Sequence, residues 1–465
     1  MKHTFILLIA IFTSLLLTAQ DITGQWNGVL QVQGTQLRLV FNVTKTDVGY
    51  SSTMDSPDQG AKDIPVTHTT FNNSNITFEI TNAQIKYEGT LNEDEFVGTF
   101  KQGGQEFPMN LSRQVIEKDI VKRPQEPTKP YPYYSEDVTF KNLEANISLA
   151  GTLTLPKKEG VFPVVILITG SGPQNRDEEL LGHKPFLVIS DYLTKNGIAV
   201  LRYDDRGVGQ SSGDFKSATS ADFATDVESA IAYLKTRKDI NKTKIGLIGH
   251  SEGGLIAPMV ASKSKDVSFI VLLAGTGIQG DQLLLLQQER IARVNGASEA
   301  DIKKAIEANA KLFETVVTST NNEALQIKLT NQLNALLETD ADAKILNGMQ
   351  KDEFVSMQVD EISSPWMVYF IKFNPALTLE NVKCPVLAVN GEKDLQVPPQ
   401  ENLTAIQNAL TKGGNTNVTT KAFENLNHLF QESNTGSPAE YATIEETFSP
   451  KVLVYITDWI KLQTE

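Results

Sequence analysis

One serine is squeezed between glycines in "KIGLIGHSEGGLIAPMVA", residues 244–261, at Gly249-His250-Ser251-Glu252-Gly253. An apolar run enters this pentapeptide and a run of small residues leaves it, the pattern of a strand, a tight turn and a helix. Glycines at both ends would let helix and strand approach closely while the serine sits on a strained turn with its hydroxyl exposed. The N–H of Glu252 would then lie at a helix N-terminus, where it can stabilise an oxyanion. That combination suits nucleophilic attack on an acyl carbon. The same five residues also occur as a plain Gly-rich turn, so the reading depends on finding partners for the hydroxyl.

A serine nucleophile needs a base and a group to orient that base. The chain has five histidines, which makes elimination practical. His3 lies in the apolar N-terminal segment and His68 in a region of short alternating strands. His250 neighbours the serine but cannot fold back onto it, and His183 precedes the nucleophile. His428, in "ENLNHLF", follows the last strand-like run, "NVTTKAF". For the acid, "VLAVNGEKDLQVP" offers Glu392 and Asp394 just past a strand. Asp394 is preferred because it lies deeper in the loop, with Glu392 in reserve. The order Ser251, Asp394, His428 is that of the α/β-hydrolase fold. In that arrangement Asp394 would fix the imidazole tautomer, and His428 would take the serine proton and return it to the leaving group.

The elements needed to position these groups are visible from about residue 136. "FPVVILITG", "IAVLRYDD", "KIGLIG", "SFIVLLAG" and "CPVLAVNG" are short, continuously apolar runs separated by helical stretches such as "SADFATDVESAIAYLKT". Continuous apolarity predicts strands covered on both faces, and alternation with helices predicts a mostly parallel sheet. Working residues in such sheets sit beyond the carboxyl ends of the strands. The 109 residues from 276 to 384 exceed the roughly 30 that a βαβ unit needs. Their helical spacing (Ile302, Ile306, Phe313, Val317, then Leu325, Leu329, Leu333, Leu336), behind a capping-box pattern at Ser298–Asp301, predicts a helical cap over about 278–380. Gly275, Gly277 and Gly280 match a dinucleotide-binding pattern, but no strand ending in Asp or Glu follows about 20 residues on, so NAD binding is set aside. Asp204, Asp205 and Arg206 cluster in one loop and are read as structural ion pairing.

Residues 21–115 differ in kind. "QLRLVFNV" and "NITFEI" alternate, and turn signals such as "NNSN" and "KQGGQ" separate such runs, which predicts a small antiparallel β-sandwich or barrel. Residues 116–135 are read as a proline-rich linker, with four prolines between Pro124 and Pro132. The first 20 residues, "MKHTFILLIAIFTSLLLTAQ", read as a secretory signal cut near Ala19/Gln20, because the apolar run is shorter than the ~20 residues of a spanning helix. The only cysteine, Cys384, is far from this end, so no lipoprotein anchor is expected. A secreted or periplasmic protein is expected, with no stable membrane insertion after signal removal. The net charge of −14 argues against nucleic acid and anionic membrane surfaces as partners.

"TGSGPQNRDE", "GHKPFLVISDYLTKNGIAVLRYDDRGVGQSSGDF", "IGLIGHSEGGLIAPMVA", "SPWMVYFIKFNP" and "CPVLAVNGEKDLQVPP" resemble the serine-aminopeptidase-like α/β-hydrolases. The resemblance is closest to bacterial carboxylesterases with a β domain ahead of the catalytic one. It covers about 136–465. It implies the α/β-hydrolase fold with a helical cap, the Ser251/Asp394/His428 triad, small-molecule ester substrates, and no metal or other cofactor. In this fold the loop after the "LITG" strand supplies a second oxyanion donor, which places the N–H of Ser171, or of Gly172, beside that of Glu252. The resemblance also suggests that Arg176, His183 and Trp366 line the substrate site with Gly172. A carboxylesterase working through an acyl-enzyme is therefore expected. An aminopeptidase-like peptidase is the alternative within the class, and a glycan- or lipid-binding protein with a silent hydrolase domain is the alternative outside it.

Overall fold

The structure, a computed structural model, describes residues 21–32, 35–102, 105–117, 122–339, 346 and 350–465. The expected signal segment lies outside the described residues, as does part of the expected linker. The chain divides into two compact units, one reaching to Asp119 and the other from Ile120 onward.

The first unit is one antiparallel sheet built from β1 (Gly24–Val32), β2 (Thr35–Thr46), β3 (Gly49–Ser56), β4 (Ala61–Pro65), β5 (His68–Asn72), β6 (Asn75–Ile80), β7 (Ile85–Asn92), β8 (Glu95–Gln102), β9 (Gln105–Pro108) and β10 (Leu111–Ser112). Strand β10 joins β1 to β8, giving the order β4-β3-β2-β1-β10-β8-β7-β6-β5 with β9 on β8. The sheet curls until its ends approach, and Ser52 of β3 meets Thr69 of β5 through their hydroxyls at 2.5 Å. This is the barrel-like of the two expected architectures. Alternation puts Phe41, Phe78, Tyr87, Phe96 and Trp26 inside, with Phe41 stacked on Phe78 at 4.3 Å.

The second unit carries an eight-stranded sheet of β11 (Tyr134–Asn142), β12 (Ile147–Leu155), β13 (Phe162–Ile168), β14 (Ala199–Tyr203), β15 (Ile240–His250), β16 (Phe269–Leu273), β17 (Val386–Gly391) and β18 (Val418–Phe423). Its order is β11-β12-β14-β13-β15-β16-β17-β18, and every pair from β14 to β18 is parallel. The period of two along each strand explains the continuous apolar runs. Val164, Ile166 and Ile168 of β13 join a core with helices α2 (Ser220–Thr236) and α3 (Gly253–Ala261). Val165 and Leu167 point the other way, into a core with α1 (Pro185–Lys195) and the C-terminal helix Pro450–Thr464. Both faces are covered, so no polar alternation is required. Strands β11 and β12 pair antiparallel at the edge; β11 alternates buried and exposed positions and starts within the stretch read from sequence as linker.

Between β16 and β17 run the helices Gly280–Val294, Glu299–Thr318, Asn322–Thr339, Lys351–Ile362, Pro365–Lys372 and Pro375–Leu379. Ser298 caps its helix by accepting the Asp301 N–H at 3.2 Å. The cap has its own core, including Phe313, Val316, Leu325, Leu329, Leu333, Val355 and Val359. Val317, expected inward, is 38% exposed, and its neighbour Val316 takes the buried place.

Candidate active site

Ser251 leaves the carboxyl end of β15 with φ of +54°, a left-handed conformation that a residue with a side chain adopts only where its surroundings hold it. Its N–H donates to the Leu273 carbonyl at 2.9 Å and its carbonyl accepts the Gly254 N–H at 2.9 Å. The flanking glycines are required by space. A Cβ on Gly249 would stand 1.9 Å from the Gly253 carbonyl oxygen, and one on Gly253 would stand 2.1 Å from that of Ile168.

Asp394 and His428 follow the ends of β17 and β18. The His428 Nδ1 is 2.8 Å from Asp394 Oδ2, and the two residues are 4% and 1% exposed. The other Asp394 oxygen accepts the N–H groups of Gln396 (2.9 Å) and Val397 (2.8 Å). The carboxylate is thus oriented by its own turn before it meets the imidazole. Glu392, the reserve candidate, has an exposed side chain, and Asp394 is the carboxylate that meets His428. His428 sits against the elbow, its ring centroid 4.9 Å from that of His250.

The candidate oxyanion groups flank Ser251. Glu252 caps the start of α3. The loop after β13 presses on Ser251: a Cβ on Gly170 would lie 3.2 Å from Ser251 Cβ. Ser171 is exposed on that loop and Gly172 has φ of +92°. The loop is braced from beneath by Asp205, which accepts the Thr169 hydroxyl (2.8 Å) and the Gln174 N–H (3.0 Å). Burial pushes the Asp205 pKa up to about 8, against these two hydrogen bonds and with the nearby carboxyls of Glu252 and Glu178 adding to the rise. A cavity bordered by Thr169, Gly170, Asp205 and Glu252 lies under the elbow and has room for about one water.

Of the residues expected to line the site, Trp366 bonds to the side chain of Glu252. From the cap helix Pro365–Lys372 its indole N–H donates to Glu252 Oε1 at 2.8 Å, and the same oxygen accepts the Ser220 hydroxyl at 2.6 Å. Burial raises the Glu252 pKa, and these two donors act against that rise. Arg176 and His183 require correction. The Arg176 guanidinium is spent on Asp204, at 3.0 and 2.8 Å, and on Asp137 and Thr152. It ties the loop to the sheet edge. His183 is fully buried, with Nδ1 3.0 Å from the Thr447 hydroxyl and Nε2 2.8 Å from the Tyr441 carbonyl. Burial lowers its pKa to about 4, so it packs as a neutral ring closed to any substrate. The 204–206 cluster is structural, as read, but with outside partners: Arg206 pairs with Asp226 at 2.8 Å. Sequence reasoning gave no role to Glu178 or to the His250 side chain. His250 Nδ1 lies 3.0 Å from Glu178 Oε1.

The sequence matches the family described as serine aminopeptidase, S33, over residues 186–434, more than half of the chain. The chain belongs to the serine aminopeptidase S33 family of α/β-hydrolases. Among relatives of this S33 chain, esterase EstD of Thermotoga maritima is 25% identical over 314 residues, 67% of this chain and 65% of EstD. The chain thus spans just under two thirds of the EstD length. An uncharacterised 31.7 kDa protein of Escherichia coli is 24% identical over 328 residues, covering 70% of this chain and 98% of the relative. A solved esterase of Pyrococcus furiosus aligns with 75% of this chain and 100% of its own at 15% identity and a TM-score of 0.44.

Proposed function

We propose that the protein is a carboxylesterase acting through a serine acyl-enzyme. The observation that carries this is the buried His428–Asp394 pair, its imidazole against the ring of His250, the residue before a serine held at positive φ between two glycines that nothing larger could replace. Ser251 Oγ attacks the ester carbonyl carbon while His428 Nε2 removes its proton. The tetrahedral oxyanion faces the N–H of Glu252 and of Ser171 or Gly172. Collapse breaks the acyl–oxygen bond, His428 returns the proton to the departing alcohol, and water repeats the sequence on the acyl-enzyme to release the acid. Asp394 keeps the imidazole in the required tautomer.

Esters are favoured over peptides with a free amino terminus by what surrounds the elbow. The carboxyls of Glu178, Asp205, Glu252 and Asp394 are buried and engaged by protein donors, so none of the four is presented to a substrate amine. The N-terminal 20 residues fit export, and among the described residues no helix is long and apolar enough to cross a membrane. Hydrolysis of p-nitrophenyl esters from acetate to decanoate, with Ser251→Ala in parallel, tests the proposal. Wild type should turn over at least one ester and the variant should lose on the order of 10³-fold or more. Inertness on every ester with turnover of aminoacyl p-nitroanilides would move the assignment to a peptidase. Absence of fluorophosphonate labelling would favour a binding protein.

A further inference from the structure

His250 precedes the nucleophile and is buried, and both of its ring nitrogens face acceptors. Nδ1 is 3.0 Å from Glu178 Oε1 and Nε2 is 3.1 Å from the backbone carbonyl of His428. A carbonyl oxygen donates nothing, and Glu178 Oε1 already accepts the Gly170 N–H at 2.7 Å. A neutral imidazole carries one proton, which would leave a nitrogen lone pair turned against an oxygen. Both contacts are hydrogen bonds if both nitrogens are protonated, or if Glu178 carries the proton and donates it to Nδ1; the Gly170 N–H held by the same carboxyl oxygen favours the ionised carboxylate. The ionisable groups around the ring are Glu178, Asp394 and the His428 imidazole 4.9 Å away. Glu178 itself is buried at φ of +50°, a conformation kept only where surrounding contacts over-determine it.

We propose that His250 is an imidazolium at neutral pH, and that the Glu178–His250 ion pair is a positioning device joining three parts of the site. One carboxylate oxygen holds Gly170, next to the candidate oxyanion donor Ser171. The ring it also holds is covalently one residue from Ser251 and grips the backbone of His428. Nucleophile, base and oxyanion loop are thereby referenced to a single buried charge pair. The role in catalysis rests on the reading of Ser251 and His428 given above; the charge state of His250 does not. Burial by itself would pull the ring's pKa down. The Glu178 carboxylate and its hydrogen bond, the His428 carbonyl and Asp394 more than reverse that, leaving it above the ordinary histidine value.

The test is the imidazole ¹⁵N spectrum of the full chain with labelled histidine, followed from pH 5 to 10 and assigned with His250→Gln. Should His250→Gln not fold, Glu178→Gln makes the assignment, because it changes the titration of His250 above all others. Both nitrogens of His250 should carry protons at neutral pH and lose one only on the alkaline side. In Glu178→Gln that titration should move to lower pH. The same variant should lose on the order of 10²-fold in kcat on a p-nitrophenyl ester with KM little changed, as expected for misplaced reacting groups. A bare nitrogen on His250 at neutral pH overturns the proposal. A charged His250 with unchanged kcat in Glu178→Gln overturns the positioning role. Failure of fluorophosphonate to label Ser251 would sink the esterase reading and leave the spectrum to decide the charge.

Discussion

In the proposed mechanism the carboxylate of Asp394 carries no rate by itself; its value lies in being aimed before the imidazole arrives. Two backbone N–H groups fix one oxygen, and the other accepts the Asn390 amide at 3.3 Å and meets His428. Asp394→Asn keeps this shape but presents an amide to Nδ1, which favours the wrong tautomer, so kcat should fall by on the order of 10⁴ with the fold intact. A loss under tenfold in steady-state kinetics would argue that Asp394 is not the orienting acid. Asp205 makes a different prediction. Its folded-state pKa of about 8 stands above the ordinary 3.8, so between those values the folded protein keeps a proton that the unfolded chain has released. Stability conferred by this group is therefore lost as pH rises through that window. Denaturant unfolding at pH 5, 7 and 9 should show wild type losing stability relative to Asp205→Asn; parallel curves would contradict it. The proposed triad could be picked out in the sequence because its chemistry restricts residue types and the chain holds few histidines. His250 and Glu178 could not, because their roles come from which loops pack together. Spacing set His250 aside as base but could not show that its ring turns toward the His428 carbonyl.

Elements set the precision of the turn. Gly253 packs its Cα on the end of β13, so Gly253→Ala must push the helix start or the strand aside. A cost of about 1–3 kcal/mol is expected for such overpacking, with a larger fractional loss of kcat than of folded protein. Denaturation and active-site titration on one preparation would check both, and an unchanged kcat would mean that the elbow tolerates the shift. The cap helix Pro365–Lys372 is tied to the same elbow through Trp366 and Glu252. Trp366→Phe keeps an aromatic ring but removes one of the two donors to a buried acceptor, leaving that of Ser220, which should destabilise the protein by about 1 kcal/mol in chemical unfolding. At this scale the sequence showed most of what matters. Each parallel strand is apolar on both faces and stands out from its helices. The edge pair β11 and β12 was harder to see, since β11 alternates and its first residues follow directly on the prolines. Val316 and Val317 show why helical phase drifts: two adjacent valines both fit the spacing, and packing against the neighbouring cap helices chose one.

The molecule as a whole holds its apolar residues in separate cores. The curled sheet of the first unit closes on Trp26, Phe41, Phe78, Tyr87 and Phe96, and the proposed chemistry uses none of its residues. The second unit has a core on each face of its sheet, and the proposed triad stands at the carboxyl ends of strands that those cores clamp. Domains with their own cores unfold as their own cooperative units. Calorimetry of the protein should accordingly resolve two transitions. Phe78→Ala should lower one of them, since truncating a buried phenylalanine costs about 3–5 kcal/mol, while ester turnover at room temperature stays at the wild-type level. Asp394→Asn should reverse the pattern, abolishing turnover and leaving that transition in place. If Phe78→Ala instead removed activity while the second transition persisted, the β unit would have to be counted as part of the catalytic machinery, and the ester chemistry assigned to Ser251 would depend on both units.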